Sequence, residues 1–487
     1  MADQISGIFL LGLGPGDPNL LTRQAWQILQ TAPEIYLRTH LHPTVAGFPP
    51  TLQVHSFDHL YDQSESFEQV YEKIVVQVLA LGRRPQGVIY AVPGHPFVAE
   101  ATSPEIAKRA RQEGLAVQVI EGLSFLEPVF TALHIDPLPC IVLVDALDVA
   151  RAHIPPFGPD VPALVAQVYS RDLASDVKLT LMEVYPDDHP IQLVHAAGSA
   201  QGRVENLVLY ELDRSTEIGL LTTLYVPPLG KATSFEAFQE VIAHLRAPEG
   251  CPWDREQTHQ TLRSYLLEET YEALAALDSG DAQSLKEELG DLLLQVVLHA
   301  QIASEYGEFS MAEVLQQVNS KLVYRHPHVF GNTRVDGVDH VLANWERLKS
   351  SERKNDGKLR ESILDGIPAA LPALIQSEQY QRRVARVGFE WPGLQNMLDK
   401  IQEELAEVLR AETPEHRSCE IGDLLFAVVN LARAYNTDPE SALREANLRF
   451  RNRFSYIEKK ALSLGLGVSD LTLEQMLGLW QEAKSEA

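Results

Sequence analysis

Residues 267–301 read LEETYEALAALDSGDAQSLKEELGDLLLQVVLHAQ, and this stretch decides the architecture of the second half of the chain. Glu269 and Glu272 are three apart and Glu268 and Glu272 four apart, so each pair shares a helix face. Ser279-Gly280-Asp281 supplies a turn and a helix cap. Glu288 and Asp291, again three apart, follow on the next helix, directly before an apolar run. Two antiparallel helices joined this way bring both acidic pairs together near the middle of a bundle. Clustered carboxylates repel, and burying each costs several kcal/mol unless a cation compensates, roughly 3–5 where a partner is missing. Such oxygen ligands suit Mg²⁺ or Mn²⁺, and the lack of a Glu-x-x-His motif favours magnesium over iron. The alternative is a pair of solvated, salt-bridged helices.

The stretch recurs. Gln402-Glu-Glu-Leu-Ala-Glu407 repeats Leu267–Glu272, and Glu420-Ile-Gly-Asp423 repeats Glu288–Asp291. Asn319-x-Lys321-x-x-x-Arg325 returns as Asn447-x-Arg449-x-x-x-Arg453, and Trp345-x-x-x-Lys349 as Trp480-x-x-x-Lys484. Four signatures in one order argue for two copies of one helical unit and against the solvated-surface alternative. The paired cations, at a spacing of four on one helix face, suit phosphate oxygens. Trp345 and Trp480 either stack on a base or serve as core tryptophans beside a surface lysine. Together the parts describe a metal–polyphosphate site with one carboxylate, Glu268 or Glu403, left to act as general base.

Outward from these repeats the grammar changes. Residues 1–228 alternate apolar runs with helical stretches: GIFLLGL, QGVIYAV, AVQVIEG and PCIVLVDAL read as buried strands of a mostly parallel sheet. Thr22–Thr31, Ser66–Leu81 and Ser103–Glu113 carry helical periodicity between them. Beyond a linker at Val226–Lys231 the chain is all-α, with capping boxes at Ser310–Glu313 and Thr472–Gln475 and helix-opening prolines at 414 and 439. The expected division is an α/β domain at 1–228, helical repeats at 232–353 and 394–487, and a linker with a leading helix at 354–393.

Composition sets the outer limits. The 487 residues imply several domains, and 45% apolar with 22% charged residues is ordinary for a globular chain. A net charge of −26 argues against stable nucleic-acid binding and, for a handler of phosphates, for an intervening metal. No run of eighteen apolar residues spans a membrane and no signal peptide is evident. The three cysteines, far apart and without a CxxC pair, fit a reducing cytoplasm.

At EETYE, ExxD, KLVYRHPHVFG and Cys251-Pro-Trp-Asp-Arg-Glu-Gln-Thr-His259 the helical half looks like the MazG family in its tandem form. That resemblance implies an all-α nucleoside triphosphate pyrophosphohydrolase, a homodimer, and cleavage between the α- and β-phosphates. It implies Mg²⁺ on Glu269, Glu272, Glu288 and Asp291, and on Glu404, Glu407, Glu420 and Asp423 in the second copy. The copies differ: Lys400, placed to reach phosphate, replaces Tyr265, while Lys321 of the first stands where the second has Arg449. This tilts the expectation toward the second copy as the better catalyst.

Leu11-Gly-Leu-Gly-Pro-Gly-Asp-Pro18, Val92-Pro-Gly-His-Pro-Phe-Val-Ala-Glu100 and Ile120-Glu-Gly-Leu-Ser-Phe125 make residues 5–225 resemble the tetrapyrrole methylases. The resemblance implies two α/β lobes with S-adenosylmethionine in the cleft, lined by Pro93, Gly94, His95 and Pro96. Gly12, Gly14, Gly16 and Asp17 would shape a substrate-side loop. Gly94-His95-Pro96 departs from the usual Gly-Asp-Pro, and Pro33 from a usual aspartate, so the fold transfers better than the activity. The competing readings are a methyltransferase whose helical half oligomerises, and a nucleotide sensor without turnover.

Overall fold

The computed structural model describes residues 7–64, 66–355 and 362–485. The chain forms two compact units, the first ending at Glu256 and the second starting at Gln257.

The first unit holds two sheets. Strands β1 (Ile8–Gly12), β2 (Glu34–Leu37), β3 (Gln53–Ser56), β4 (Val88–Val92) and β5 (Val117–Ile120) form a parallel sheet in the order β3-β2-β4-β1-β5. All five β4 residues are buried. Val88, Tyr90 and Val92 pack with Ile74 and Val78 of the Phe67–Gly82 helix, while Ile89 and Ala91 pack with Ala25 and Leu29 of the Arg23–Thr31 helix. Period-two alternation between two apolar layers explains why these strands read as continuous apolar runs. Thr22 and Ser66 cap those helices, so both begin where the sequence indicated.

Strands β6 (Val142–Asp145), β7 (Ala163–Ala166), β8 (Pro190–His195), β9 (Arg203–Val208) and β10 (Thr222–Val226) form a second sheet, ordered β6-β7-β10-β8-β9. Only β6 and β7 pair in parallel; β7–β10, β10–β8 and β8–β9 are antiparallel. The expected mostly parallel sheet therefore holds for the first lobe and not for the second. Edge strand β9 has no fully buried residue, so it lacks the apolar run that marks a strand buried on both faces. The helix Phe235–Arg246 groups with this unit.

Among the described residues no strand follows β10. The second unit opens with a hairpin of helices Arg263–Ser279 and Ala282–Glu305, joined through Gly280 at φ +69° with Asp281 capping the next helix. Helices Met311–Arg325 and Gly337–Asn355 follow. A second hairpin, Leu394–Arg410 with Pro414–Ala434, precedes Pro439–Ser463 and Leu473–Ser485 in the same sequence of parts. Reciprocal hydrogen bonds close the boxes at Ser310–Glu313 and Thr472–Gln475. Within the segment read as linker, helix Ala373–Ala385 packs on the second hairpin, where Gln381 Nε2 donates to the Phe426 carbonyl at 2.8 Å.

Candidate functional site

The first hairpin turns its acidic faces inward. One carboxylate oxygen each from Glu269, Glu272 and Glu288 lies within 4.8 Å of the others. Glu269 and Glu288 are half-buried, and both titrate above the usual carboxylate range. For Glu269 the causes are burial and then the charges of Asp291, Glu272, Glu268 and Glu288; for Glu288 they are burial and then Glu272, Glu287 and Asp291. Asp291 adds its charge from outside this triplet. Among the described residues no cation pairs with these carboxylates. Uncompensated like charge at one point, on hard oxygen donors, is a cage that fits a divalent cation.

The second hairpin gathers Glu404, Glu407 and Glu420 within the same 4.8 Å. Here a lysine and a histidine are built in. Lys400 Nζ lies 2.8 Å from Glu404 and 3.1 Å from Glu403, and His416 Nε2 lies 2.9 Å from Glu420. Hydrogen bonds that Lys400 donates to Glu404 and then Glu403 hold its ammonium well above its ordinary range. Asp423 is exposed and outside the triplet, and Glu268 and Glu403 are exposed beside their cages.

The basic and aromatic residues lie on other helices. Lys349 Nζ stands 4.3 Å from the Trp345 ring centre and the Arg325 guanidinium 5.5 Å from it, with Arg325 also bound to Glu352. Arg453 similarly lies 5.6 Å from Trp480, which packs against Phe450 and the small cluster around Ile457. Asn319, Asn447, Arg449 and Lys484 are exposed and Lys321 half-buried. The cage carboxylates pair with none of these cations among the described residues.

In the first unit the loops after β1, β4 and β5 converge. Gly14 and Gly94 exchange backbone hydrogen bonds at 3.2 and 2.8 Å. A Cβ at Gly12 would meet the Gly94 carbonyl at 2.6 Å and the Gly122 nitrogen at 2.7 Å, so only glycine fits. The run Leu11–Pro18 is thus packed against its neighbours and not an open phosphate cradle. Asp17 accepts from Asn19 N at 2.8 Å, and its own N–H donates to Gly198 of the second lobe. Gly94 has φ +68°, and a Cβ there would meet only Ser124 Cα at 4.0 Å, which leaves room beside Pro93–Pro96. His95 Nδ1 accepts from Phe97 N at 3.0 Å, so the ring closes the turn that an aspartate would otherwise cap.

Residues 257–330 match the family model of the MazG nucleotide pyrophosphohydrolase domain, and residues 7–213 that of the tetrapyrrole (corrin/porphyrin) methylases. The chain is 41% identical over 98% of both lengths to an uncharacterized Bacillus subtilis protein, YabN. About half of it (51%) is 43% identical to the Thermotoga maritima nucleoside triphosphate pyrophosphohydrolase/pyrophosphatase MazG, covering 95% of that protein. The Escherichia coli K12 nucleoside triphosphate pyrophosphohydrolase is 44% identical, over 50% of this chain and 95% of its own length. The chain belongs to the MazG family.

It is an enzyme of that family carrying a methylase-type α/β domain ahead of the MazG half. The match to the MazG family model falls on the first helical copy. In that copy the sequence reading missed a polar line continuing from the cage along one helix face. Gln295 is buried with its Oε1 unpaired, and His299 Nδ1 meets His259 Nδ1 at 2.8 Å. Burial, then His259, lowers the His299 pKa. The signal was present in the segment ending at His259 and in the polar positions within LLLQVVLHAQ. Also missed was the pair of half-buried Arg38, just past β2, and buried Glu100, just before the Thr102–Gln112 helix. Glu100 takes the Thr102 N–H at 2.8 Å, and Tyr90 shares a 2.8 Å hydrogen bond with Thr102. His42, buried beside Arg38, is pushed down to about 4 by burial and then by that charge.

Proposed function

We propose that the MazG half hydrolyses nucleoside triphosphates between the α- and β-phosphates, giving the monophosphate and pyrophosphate, and so clears non-canonical or excess nucleotides. One observation carries the reading: three carboxylates from two helices converge in the first copy without a compensating cation, in a chain whose relatives are named for this activity. Glu269, Glu272, Glu288 and Asp291 would hold Mg²⁺, or Mn²⁺, as would Glu404, Glu407, Glu420 and Asp423 in the second copy. The ion would supply charge neutralisation, alignment of the phosphates and a more acidic attacking water. Glu268 or Glu403, exposed beside the cages, would serve as general base toward the attacking water. Lys321, Arg325 and Lys349, and Lys400, Arg449, Arg453 and Lys484, bind phosphate oxygens; Asn319 and Asn447 donate hydrogen bonds, and Trp345 and Trp480 stack on the base.

Two observations support a homodimer. Leu289 and Leu425 on the two hairpins are 54% and 51% exposed, and Leu293 and Phe426 beside them are exposed as well. Apart from Lys400, the basic set lies on other helices than the acidic set, so a second chain offers a way to bring them together. Three free cysteines support a reducing, cytoplasmic setting, and among the described residues no helix is long and apolar enough to cross a membrane.

The space beside Gly94 favours a second reading for the first unit: S-adenosylmethionine bound along Pro93, Gly94, His95 and Pro96, with tetrapyrrole methyl transfer as an alternative principal activity and the helical half as an oligomerisation or nucleotide-sensing module. Calorimetric titration with that cofactor tests it. For the leading reading the test is pyrophosphate release from the common ribo- and deoxyribonucleoside triphosphates and inosine triphosphate, with Mg²⁺ and with chelator. Metal-dependent release is expected; its absence with every substrate overturns the proposal.

A further inference from the structure

The two cages are alike in carboxylates and unlike in what neutralises them. In the second, Lys400 sits one turn before Glu404 and bonds both Glu404 and Glu403, and His416 sits one turn before Glu420 and bonds it. Glu404 and Glu420 are 7% and 13% exposed, and each already has one carboxylate oxygen in a polar contact. At the matching positions the first copy has Tyr265 and Ser284, neither of which carries a positive charge; the Ser284 hydroxyl is spent on Asp281 at 2.7 Å.

We propose that the two copies load metal by different rules: the first cage takes a free divalent cation, while the second takes one more tightly together with a polyphosphate chain than alone. This rests on the metal–triphosphate reading above. A divalent ion entering the second cage competes with the ammonium for Glu404 and with the imidazole for Glu420, and an ammonium that yields returns to solvent without its carboxylate partners. A triphosphate restores such partners, because its oxygens accept from Lys400 as the carboxylates did. Metal and polyphosphate therefore assist each other at the second cage, and by linkage each raises the affinity of the other by the same factor. At the first cage the ion alone relieves the repulsion among Glu269, Glu272 and Glu288, so nucleotide is not needed to admit it.

Mn²⁺ binding to the full-length protein, followed by the electron paramagnetic resonance of free Mn²⁺, tests this with and without an α,β-methylene nucleoside triphosphate. Mn²⁺ alone should fill one tight class of site per chain, and the analogue should add a second. Lys400→Met should reveal the second class without the analogue, its affinity rising about fivefold for the loss of one displaced ion pair of about 1 kcal/mol. Tyr265→Lys should weaken the first class by a similar factor. Unchanged first-class binding in Lys400→Met reports that the fold is intact. Two equal classes in the unmodified protein with Mn²⁺ alone, or a second class indifferent to Lys400→Met, would overturn the proposal. Failure of the underlying reading looks different: Mn²⁺ binding absent in every condition, or unaltered by Glu272→Gln with Glu407→Gln.

Discussion

Glu269 and Glu288 sit on successive helices, yet their carboxylate oxygens come within 4.8 Å of each other with Glu272 closing the triangle. Two carboxylates held so close without a cation oppose the fold that holds them, since both titrate above their ordinary range. The sign follows from linkage: an acid whose folded pKa is raised destabilises the folded state once the pH exceeds its unfolded value. At neutral pH the metal-free hairpin is therefore under electrostatic load.

Replacing Glu269 by glutamine should relieve that load and remove a ligand. Without metal, the melting temperature of Glu269→Gln should exceed that of the unmodified protein by about 2 °C. The stabilisation by added Mg²⁺, which grows with ligand concentration over its dissociation constant, should shrink. Differential scanning calorimetry with and without Mg²⁺ checks both, and a lower metal-free melting temperature would contradict the account.

The tryptophans are a separate test. Base–aromatic stacking is worth about 1–3 kcal/mol, so joint Trp345→Ala and Trp480→Ala substitution should raise KM about tenfold or more while leaving kcat less affected. The corresponding phenylalanine pair should recover most of the loss. If both rings are only core, steady-state kinetics will show an unchanged KM alongside a lowered melting temperature. Trp480, packed among Phe450, Phe454 and Leu479, is the more exposed to that outcome.

The repeated hairpins, their caps and their inward-facing acids were legible in the sequence because each is local. Spacings of three and four, Ser279-Gly280-Asp281, and the boxes at Ser310 and Thr472 are settled within one or two turns. What escaped depends on contacts between distant positions. Arg38 and Glu100, sixty-two residues apart, meet only when the segment before the Thr102–Gln112 helix folds back beside β2, and His259 finds His299 only when the hairpin has formed. Lys400 was read as a phosphate ligand, but its grip on Glu404 was not foreseen, nor was His416. In the second lobe β9 is half-exposed throughout, so no apolar run marked it.

His42 sets the pH dependence of the methylase-type domain. Its folded pKa, about 4, lies below the 6.5 of the unfolded chain, so the unfolded state takes up the proton first. The stability this provides is complete above pH 6.5 and is lost as pH falls from 6.5 to 4, by about 3 kcal/mol at most. Urea unfolding of the unmodified protein and of His42→Gln across that window checks it: the variant should show the shallower loss, and parallel curves would contradict the assignment.

If the hairpin faces meet across a dimer, a charge there must separate the chains. Leu289→Arg with Leu425→Arg should lower the mass by light scattering from twice 54.2 kDa to that of one chain. Pyrophosphate release should fall with it, because cages and basic helices would no longer meet. An unmodified protein already monomeric at working concentration would rule this arrangement out.

The central claim is that the gathered carboxylates serve the attack of water on the link between the α- and β-phosphates of a nucleoside triphosphate. Hydrolysis in ¹⁸O-labelled water, read by mass spectrometry of both products, tests it most directly. The account predicts nucleoside monophosphate and pyrophosphate, one of them carrying the label, with turnover lost in the Glu272→Gln, Glu407→Gln double variant. Nucleoside diphosphate with labelled phosphate, or turnover that survives in that variant, would contradict it.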